Sequence, residues 1–179
     1  MKIIAIRHGQ TDWNAAGKIQ GKTDIPLNEN GRKQARKTAE LLRTHDIDNV
    51  VSSTLKRAVE TAEIIAGRLN INEIVAVERL CERNFGIYDG VPIKDVDIIS
   101  LRNYTANIAT PNGETIREVF SRVSLCLDAL CEKYKGKNIL LVLHGHVIRA
   151  VLWHFNGVPQ TDEDSSFEIS NCAIYEFEV

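Results

Sequence analysis

Strand patterns and helix patterns alternate along this chain, and that alternation restricts its fold more than any other feature. Short apolar runs typical of buried strands occur at residues 2–6, 50–53, 74–77, 139–143 and 173–177. Between them, apolar residues recur every three or four positions, as in amphipathic helices. Parallel strands that are joined by such helices form a sheet covered on both faces. The sequence therefore predicts an α/β fold, a three-layer α/β/α sandwich with a mostly parallel central sheet.

Three segments give the clearest local signals. Residues 139–143 read Ile-Leu-Leu-Val-Leu and are apolar on both faces, which predicts a central parallel strand. Residues 114–134 carry the longest helical pattern, and Gly136 is expected to end that helix. Asn28 precedes another helical pattern and is a suitable N-cap for it.

Length and charge narrow the class of protein. The 179 residues are enough for one compact domain, so we expect a single domain over residues 1–179. Its net charge of −2 argues against a protein that binds nucleic acid through a basic surface. No stretch approaches the roughly 20 apolar residues that cross a bilayer, and no secretory signal pattern is present. We therefore expect no membrane partner and a cytoplasmic location.

The four cysteines are Cys81, Cys126, Cys131 and Cys172, and no two of them form a Cys-x-x-Cys pair. In a chain without an export signal, cysteines are expected to remain reduced. The sequence predicts free and mostly buried thiols.

Charged and nucleophilic side chains follow three of the predicted strands. Arg7 and His8 come directly after the first strand, Arg57 comes shortly after the second, and His144 follows the central one. Because the carboxyl ends of parallel strands lie at one edge of the sheet, these side chains are expected to meet there. Two guanidinium groups bind phosphate oxygens in pairs, and their charge should lower the pKa of a neighbouring histidine. The pattern predicts a site for a phosphate dianion beside a neutral, nucleophilic imidazole.

Glu82 is the best candidate for the proton donor that such a site needs. It follows the third strand and precedes Phe85-Gly86, which could cover the pocket. A bound dianion should raise the pKa of a nearby carboxyl, which suits a general acid. The alternative is a loop carboxylate that is paired with Arg83.

Other residues admit more ordinary interpretations. His144 and His146 lack the spacing and the nearby carboxylate of a zinc-binding helix, so neither a metal nor a cofactor is expected. His146 is interpreted as structural. Glu114 and Thr115 are expected to start the long helix, with a role in the pocket as the alternative.

Six blocks of sequence follow one another along the chain. The first is Arg7-His8-Gly9 with Thr11 and Asn14. The others are Gln20–Leu27, Ser53–Ala62, Glu82–Gly90, Pro111–Thr115 and His144–His146. In this order they resemble the signatures of the histidine phosphatase superfamily, whose fold is phosphoglycerate mutase-like. An isolated Arg-His-Gly is weak support, whereas six ordered blocks that cover nearly the whole chain are strong support.

The resemblance implies a role for each matching residue. His8 would become a phosphohistidine, and Glu82 would protonate the leaving oxygen. Binding of the transferring phosphoryl group would fall to Arg7, Arg57, His144, Asn14 and the backbone amide of Gly145. Gln20 and Gly21 match positions that contact the rest of the substrate. Gln10 and Asp89 stand where glutamate is commoner, and neither change is expected to affect catalysis much.

The resemblance also implies a metal-independent phosphatase that acts on small phosphomonoesters. Relatives with mutase activity generally carry longer insertions after the glutamate block, whereas the segment from Phe85 to Asn112 spans only 28 residues here. Two alternatives remain open, namely a cofactor-dependent phosphoglycerate mutase and an inactive binding or regulatory protein on the same fold. Residues 86–110 are expected to line the leaving-group side, and neither the substrate nor the oligomeric state can be read from them.

Overall fold

A computed structural model describes residues 1–160 and 167–179 of the chain. The strands are β1 (Lys2–Arg7), β2 (Asn49–Ser52), β3 (Ile74–Ala76), β4 (Ile139–Leu143) and β5 (Ile174–Glu178). They form one sheet in the order β3-β2-β4-β1-β5, so the apolar run at residues 139–143 is the central strand, as predicted. Neighbouring strands are parallel except at one edge, where β5 runs antiparallel to β1.

Helices cover both faces of this sheet, which confirms the three-layer prediction. The helices are α1 (Asp12–Ala15), α2 (Glu29–Leu41), α3 (Lys56–Leu69), α4 (Ile98–Arg102), α5 (Ile116–Lys133) and α6 (Gly145–Asn156). On one face, α2 and α3 pack against Ile4, Ile6 and other side chains of β1 and β4. On the opposite face, α5 and α6 pack against Ile3, Ala5 and their neighbours in β4. Alternate residues of one strand thus enter two different cores, which explains why the central strands are apolar throughout.

Side-chain caps fix where two of the helices begin. The Asn28 side chain accepts a hydrogen bond from the amide of Gly31, which confirms it as the N-cap of α2. Thr115 caps α5 and forms a capping box with Glu118, so the predicted start of this helix at residue 114 is one to two residues early. Glu114 lies outside the helix, and its side chain instead accepts a hydrogen bond from the loop that carries Glu82. The short helices α1 and α4 have no clear pattern and were not predicted.

A third, smaller cluster lies beyond the sheet edge and holds residues 86–110 in place. Ile19, Phe85 and Leu101 form its buried centre. The buried guanidinium of Arg83 donates to the carbonyl of Leu101 at 2.5 Å, and also to those of Ile108 and Glu114. One arginine thereby ties the segment after β3 to the start of α5.

The cysteines agree with the prediction in their chemical state and partly in their burial. All four are free; Cys81 and Cys126 are buried, and Cys131 and Cys172 are half-buried. Among the described residues, no helix is both long enough and apolar enough to pass through a membrane.

Candidate active site

The carboxyl ends of β1, β4 and β2 meet at one edge of the sheet and bring the predicted residues together. Arg7 pairs in register with Leu143, which places His8 and His144 side by side at the ends of adjacent strands. Their ring centroids are 5.1 Å apart. A cavity opens at this edge, and the predicted residues that line it are Arg7, His8, Asn14, Gln20, Gly21, Arg57, Glu82 and Gly145.

His8 is buried and held in one tautomer. Its Nδ1 lies 2.7 Å from the carbonyl oxygen of Gly9. Because a carbonyl only accepts hydrogen bonds, Nδ1 must carry the proton, which leaves a lone pair on Nε2 of the neutral ring. Burial lowers the pKa of His8 well below its usual value, and the charges of Arg57, His144 and Arg7 lower it further. The ring is therefore neutral near pH 7, and its Nε2 carries no proton.

The two predicted arginines are anchored on backbone carbonyls. Arg57 is fully buried and donates to the carbonyls of Thr23 and Gly21, each at 2.8 Å. Arg7 donates through Nη1 to the carbonyl of Ile169. In both side chains the buried Nε has no partner among the described residues. Burial lowers the pKa of Arg57 to about 10, so its charge persists at neutral pH.

The loop that anchors Arg57 depends on a glycine. Gly21 has a φ of 51°, and a Cβ at this position would overlap the carboxylate of Asp89. Asp89 in turn accepts a hydrogen bond from the Thr23 hydroxyl at 3.1 Å. Asp89 therefore shapes the loop, whereas the side chain of Gln10 binds Asn28 and Asn30 and lies outside the cavity lining.

Asn14 and Gln20 are held by a common partner. Thr11 donates its backbone amide to Oδ1 of Asn14 at 3.1 Å and its hydroxyl to Oε1 of Gln20 at 2.8 Å. Both side chains therefore reach the cavity from a fixed position.

Glu82 lies within a set of backbone donors. The amide of Arg83 donates to Oε1 at 2.9 Å, and the amide of His146 lies 3.2 Å and 3.3 Å from the two carboxylate oxygens. Burial alone would raise the pKa of Glu82, but His146, His144 and these amides hold it well below its usual value. The sequence predicts a raised pKa for Glu82, whereas the structure shows a lowered one, because hydrogen-bond donors surround the carboxylate. The Arg83 side chain binds backbone carbonyls, so the alternative pairing with Glu82 is wrong.

The backbone of the Glu82 loop is clamped by a half-buried ion pair. Nε of Arg122 lies 2.8 Å from Oε1 of Glu114. Arg122 also donates to the carbonyls of Arg79 and Glu82, and Glu114 accepts from the amide of Asn84 at 2.8 Å. Sequence reasoning left the role of Glu114 open; the structure places it behind the loop and outside the cavity lining.

Several residues at the site carried no prediction or a different one. His146 was interpreted as structural, yet it lines the cavity and contacts Glu82. Lys18, Arg102 and Arg149 also line the cavity. Arg149 follows Gly145 by four residues and so lies on the same helical face, a signal that could have found it. Arg102 lies in a segment without periodicity, where no such signal exists.

Among residues 1–160 and 167–179, no group of three or more histidine, cysteine, aspartate or glutamate side chains is arranged to hold a metal ion.

Comparison with known proteins places this geometry in a family. Residues 3–179 match the sequence model of the histidine phosphatase superfamily (branch 1). The "Uncharacterized phosphatase PhoE" of Bacillus subtilis is 41% identical over 155 residues, which cover 87% of this chain and 77% of that protein. "Phosphoglycerate mutase-like protein 4" of Arabidopsis thaliana is 38% identical over 158 residues, which cover 84% of this chain and 69% of that protein. The solved structure of Entamoeba histolytica phosphoserine phosphatase in complex with 3-phosphoglyceric acid has a TM-score of 0.86 and 32% identity, covering 99% of this chain and 90% of that one.

Proposed function

This chain belongs to branch 1 of the histidine phosphatase superfamily, and on that premise we propose that it is a metal-independent phosphatase that hydrolyses small phosphomonoesters through a phosphohistidine. One observation carries the proposal: the neutral His8 ring, with its Nε2 lone pair, lies near two cations, the half-buried Arg7 and the buried Arg57. A phosphatase relative at 41% identity supports the hydrolytic class. We further propose that residues 1–179 act as one catalytic domain.

In the first step, Nε2 of His8 attacks phosphorus and the bond from phosphorus to the ester oxygen breaks. The electron pair goes to the leaving oxygen, and Glu82 delivers a proton to it. Binding of the dianion offsets the positive field of the site, so the pKa of Glu82 rises. The Glu82 carboxylate then takes up the proton that it later donates. Arg7, Arg57 and His144 stabilise the charge on the equatorial oxygens, aided by Asn14 and the amide of Gly145. Gln20 and Gly21 contact the alcohol portion.

In the second step, water attacks the phosphohistidine and the bond from phosphorus to nitrogen breaks. The electron pair returns to Nε2 of His8, and the Glu82 carboxylate accepts the proton from water. Inorganic phosphate then leaves, and the site is restored.

Turnover of para-nitrophenyl phosphate in excess chelator tests this function. We expect the same rate with and without chelator, and loss of at least about a thousandfold in His8→Ala. After acid-free quenching, wild type incubated with labelled substrate should carry an acid-labile phosphate that His8→Ala lacks. His154→Ala, on α6 itself but outside the cavity lining, is the matched control. No turnover in wild type would favour the inactive binding protein.

A mutase is the second candidate, because the Arabidopsis relative is named phosphoglycerate mutase-like. Incubation with 3-phosphoglycerate separates the two reactions. Release of inorganic phosphate supports the phosphatase, whereas formation of 2-phosphoglycerate without net release supports the mutase. The short segment between Phe85 and Asn112 supports the first outcome, since it offers little material to shield the phosphoenzyme from water.

A further inference from the structure

Arg122 on α5 and Glu114 in the loop before that helix form an ion pair outside the cavity lining. Nε of Arg122 lies 2.8 Å from Oε1 of Glu114, and Nη2 of Arg122 donates to Oε2 at 3.1 Å. The two side chains are only 19% and 22% exposed. Two such contacts between a guanidinium and a carboxylate fix the orientation of both groups. The pair is therefore a firm anchor beside the loop that carries Glu82, and the proposed phosphoryl transfer does not use it.

The guanidinium of Arg122 also binds the backbone of that loop. Nη1 donates to the carbonyl of Arg79 at 2.7 Å, and Nη2 donates to the carbonyl of Glu82 at 3.3 Å. Each of the three guanidinium nitrogens thus has a partner within the protein. Since these partners are Glu114 and the loop itself, the Arg122 side chain fixes the backbone instead of binding a ligand.

The peptide unit between Glu82 and Arg83 connects this anchor to the carboxyl group. The carbonyl of Glu82 and the amide of Arg83 belong to that one unit, and in a planar trans peptide they point in opposite directions. The carbonyl accepts from Arg122, whereas the amide donates to Oε1 of the Glu82 carboxylate at 2.9 Å. Arg122 thereby sets the direction of the amide, and the amide in turn holds the carboxylate.

Glu114 fixes the two residues that follow Glu82. Its Oε2 accepts from the amide of Asn84 at 2.8 Å, and its own amide donates to the carbonyl of Asn84 at 2.8 Å. Its carbonyl accepts from Nε of Arg83 at 2.8 Å. The peptide unit after Glu82 is therefore held by Arg122 and, through its neighbours along the chain, by Glu114.

The position of the Glu82 carboxyl group controls proton transfer in the proposed reaction. A general acid must lie within hydrogen-bond reach of the atom that it protonates, and a displacement of about 1 Å can slow a reaction by about a hundredfold. Two backbone amides hold this carboxylate, those of Arg83 and His146, and Arg122 orients the first of them. Loss of the ion pair should therefore weaken proton donation and leave the phosphoryl-binding groups in place.

We propose that Arg122 and Glu114 are positioning residues for proton transfer: their ion pair orients the peptide unit after Glu82 and so holds the carboxyl group where it can protonate the leaving oxygen. This inference rests on the proposed phosphatase function and assigns a role in it to two residues outside the cavity lining.

Two esters that differ in their need for a proton test this role. In Arg122→Gln, we expect kcat to fall by about tenfold more for glycerol 1-phosphate than for para-nitrophenyl phosphate, because only the alkyl alcohol needs a proton as it leaves. KM for both esters should stay within about twofold of wild type, since substrate binding is untouched. Arg122→Lys keeps the charge without the planar fork and should recover part of the loss. Glu114→Gln should shift the ratio of the two kcat values in the same direction.

The double variant with Glu82→Gln separates positioning from a general structural effect. If Arg122 acts through Glu82, Arg122→Gln should not change the ratio of the two kcat values any further once Glu82 is replaced. A further change in that background would overturn the inference, as would equal losses for the two esters in Arg122→Gln alone. Urea unfolding shows whether each variant is folded. If Arg122→Gln is not, Arg122→Lys and Glu114→Gln decide by the same criteria.

Arg68→Gln is the matched control. Nη1 of Arg68 lies 2.8 Å from Oε1 of Glu40, in an ion pair that joins α3 to α2. Arg68 lies at the end of α3 that is far from Arg57 and the site. We expect this variant to lose an ion pair of the same length without a change in the ratio of the two kcat values.

The two proposals fail in different ways. If wild type hydrolyses neither para-nitrophenyl phosphate nor glycerol 1-phosphate, the phosphatase function itself is wrong. If wild type hydrolyses both and Arg122→Gln loses the two activities equally, only the positioning role is wrong.

Discussion

Oγ of Ser53 lies 2.6 Å from Nε2 of His144, and both side chains are buried. The Ser53 hydroxyl also accepts a hydrogen bond from the amide of Leu55 at 3.3 Å, which leaves its own proton free for Nε2. With Nε2 as acceptor, the neutral ring carries its proton on Nδ1, which has no partner among the described residues. We predict that Ser53 selects this tautomer and so leaves Nδ1 of His144 as a hydrogen-bond donor, the role that binding a phosphoryl oxygen requires.

Replacing Ser53 with alanine should therefore slow turnover. We expect kcat/KM for para-nitrophenyl phosphate to fall by about tenfold, or roughly 1.4 kcal/mol, because a buried ring nitrogen loses its partner and the ring its fixed tautomer. Ser52→Ala is the matched control, since that hydroxyl donates to the carbonyl of Ser53 and not to His144. Wild-type kcat/KM in Ser53→Ala would contradict this role.

Replacing Glu82 with glutamine should slow poor leaving groups far more than good ones. An alkyl alcohol needs a proton as it leaves, whereas para-nitrophenolate does not. We expect at least about a hundredfold larger loss of kcat for an alkyl phosphate than for para-nitrophenyl phosphate. Glu78→Gln, at an exposed carboxylate of the same loop, should leave both rates near wild type. Equal losses for the two esters in Glu82→Gln would mean that another group supplies the proton.

Replacing Arg57 with alanine should cost on the order of 3 kcal/mol of transition-state stabilisation, about a hundredfold in kcat/KM. Arg57→Lys keeps a charge but loses the planar fork that binds the carbonyls of Gly21 and Thr23, so it should recover only part of the loss. The neighbouring Lys56, exposed and paired with Asp24, provides the control Lys56→Ala. Full activity in Arg57→Ala would show that Arg57 does not bind the phosphoryl group.

The stability of the fold should decrease as the solution becomes acidic. His8, His144 and His146 have lowered pKa values in the folded chain, so the unfolded chain binds more protons once the pH falls below about 6.5. Their contribution to stability is present above that pH and is lost toward the folded-state values, by up to about 1.4 kcal/mol per pH unit for each group. The lowered pKa of Glu82 acts in the same direction at lower pH, with stability lost as the pH falls below about 4.5.

Urea unfolding at pH 7.5 and pH 5.5 measures this dependence. We expect a lower free energy of unfolding at pH 5.5, and a smaller difference between the two pH values in His146→Asn. Equal stability of wild type at both values would show that these histidines are not held neutral by the fold.

Much of the fold could be predicted from the sequence, because the spacing of apolar residues that indicates strands and helices is a local property of the chain. The run at residues 139–143 predicts a central strand, since no other position in a sheet buries both of its faces. Asn28 and Thr115 mark helix starts through side chains that bond the backbone only three residues away. The short helix α4 escaped prediction because packing around Leu101 and Arg83 holds it, rather than its own sequence pattern.

For the site, the sequence determined which strand ends carry Arg7, His8, Arg57 and His144, because each follows an apolar run directly or within a few residues. Only the tertiary structure decided their partners and neighbours. These are the amides around Glu82, the Ser53 hydroxyl at His144, and Arg102 in the cavity lining. Those contacts join residues far apart along the chain, and their distances depend on how loops pack over the sheet edge. Hydrogen bonds and electric fields depend on such distances, so the pKa of Glu82 follows from the folded arrangement and not from the order of residues.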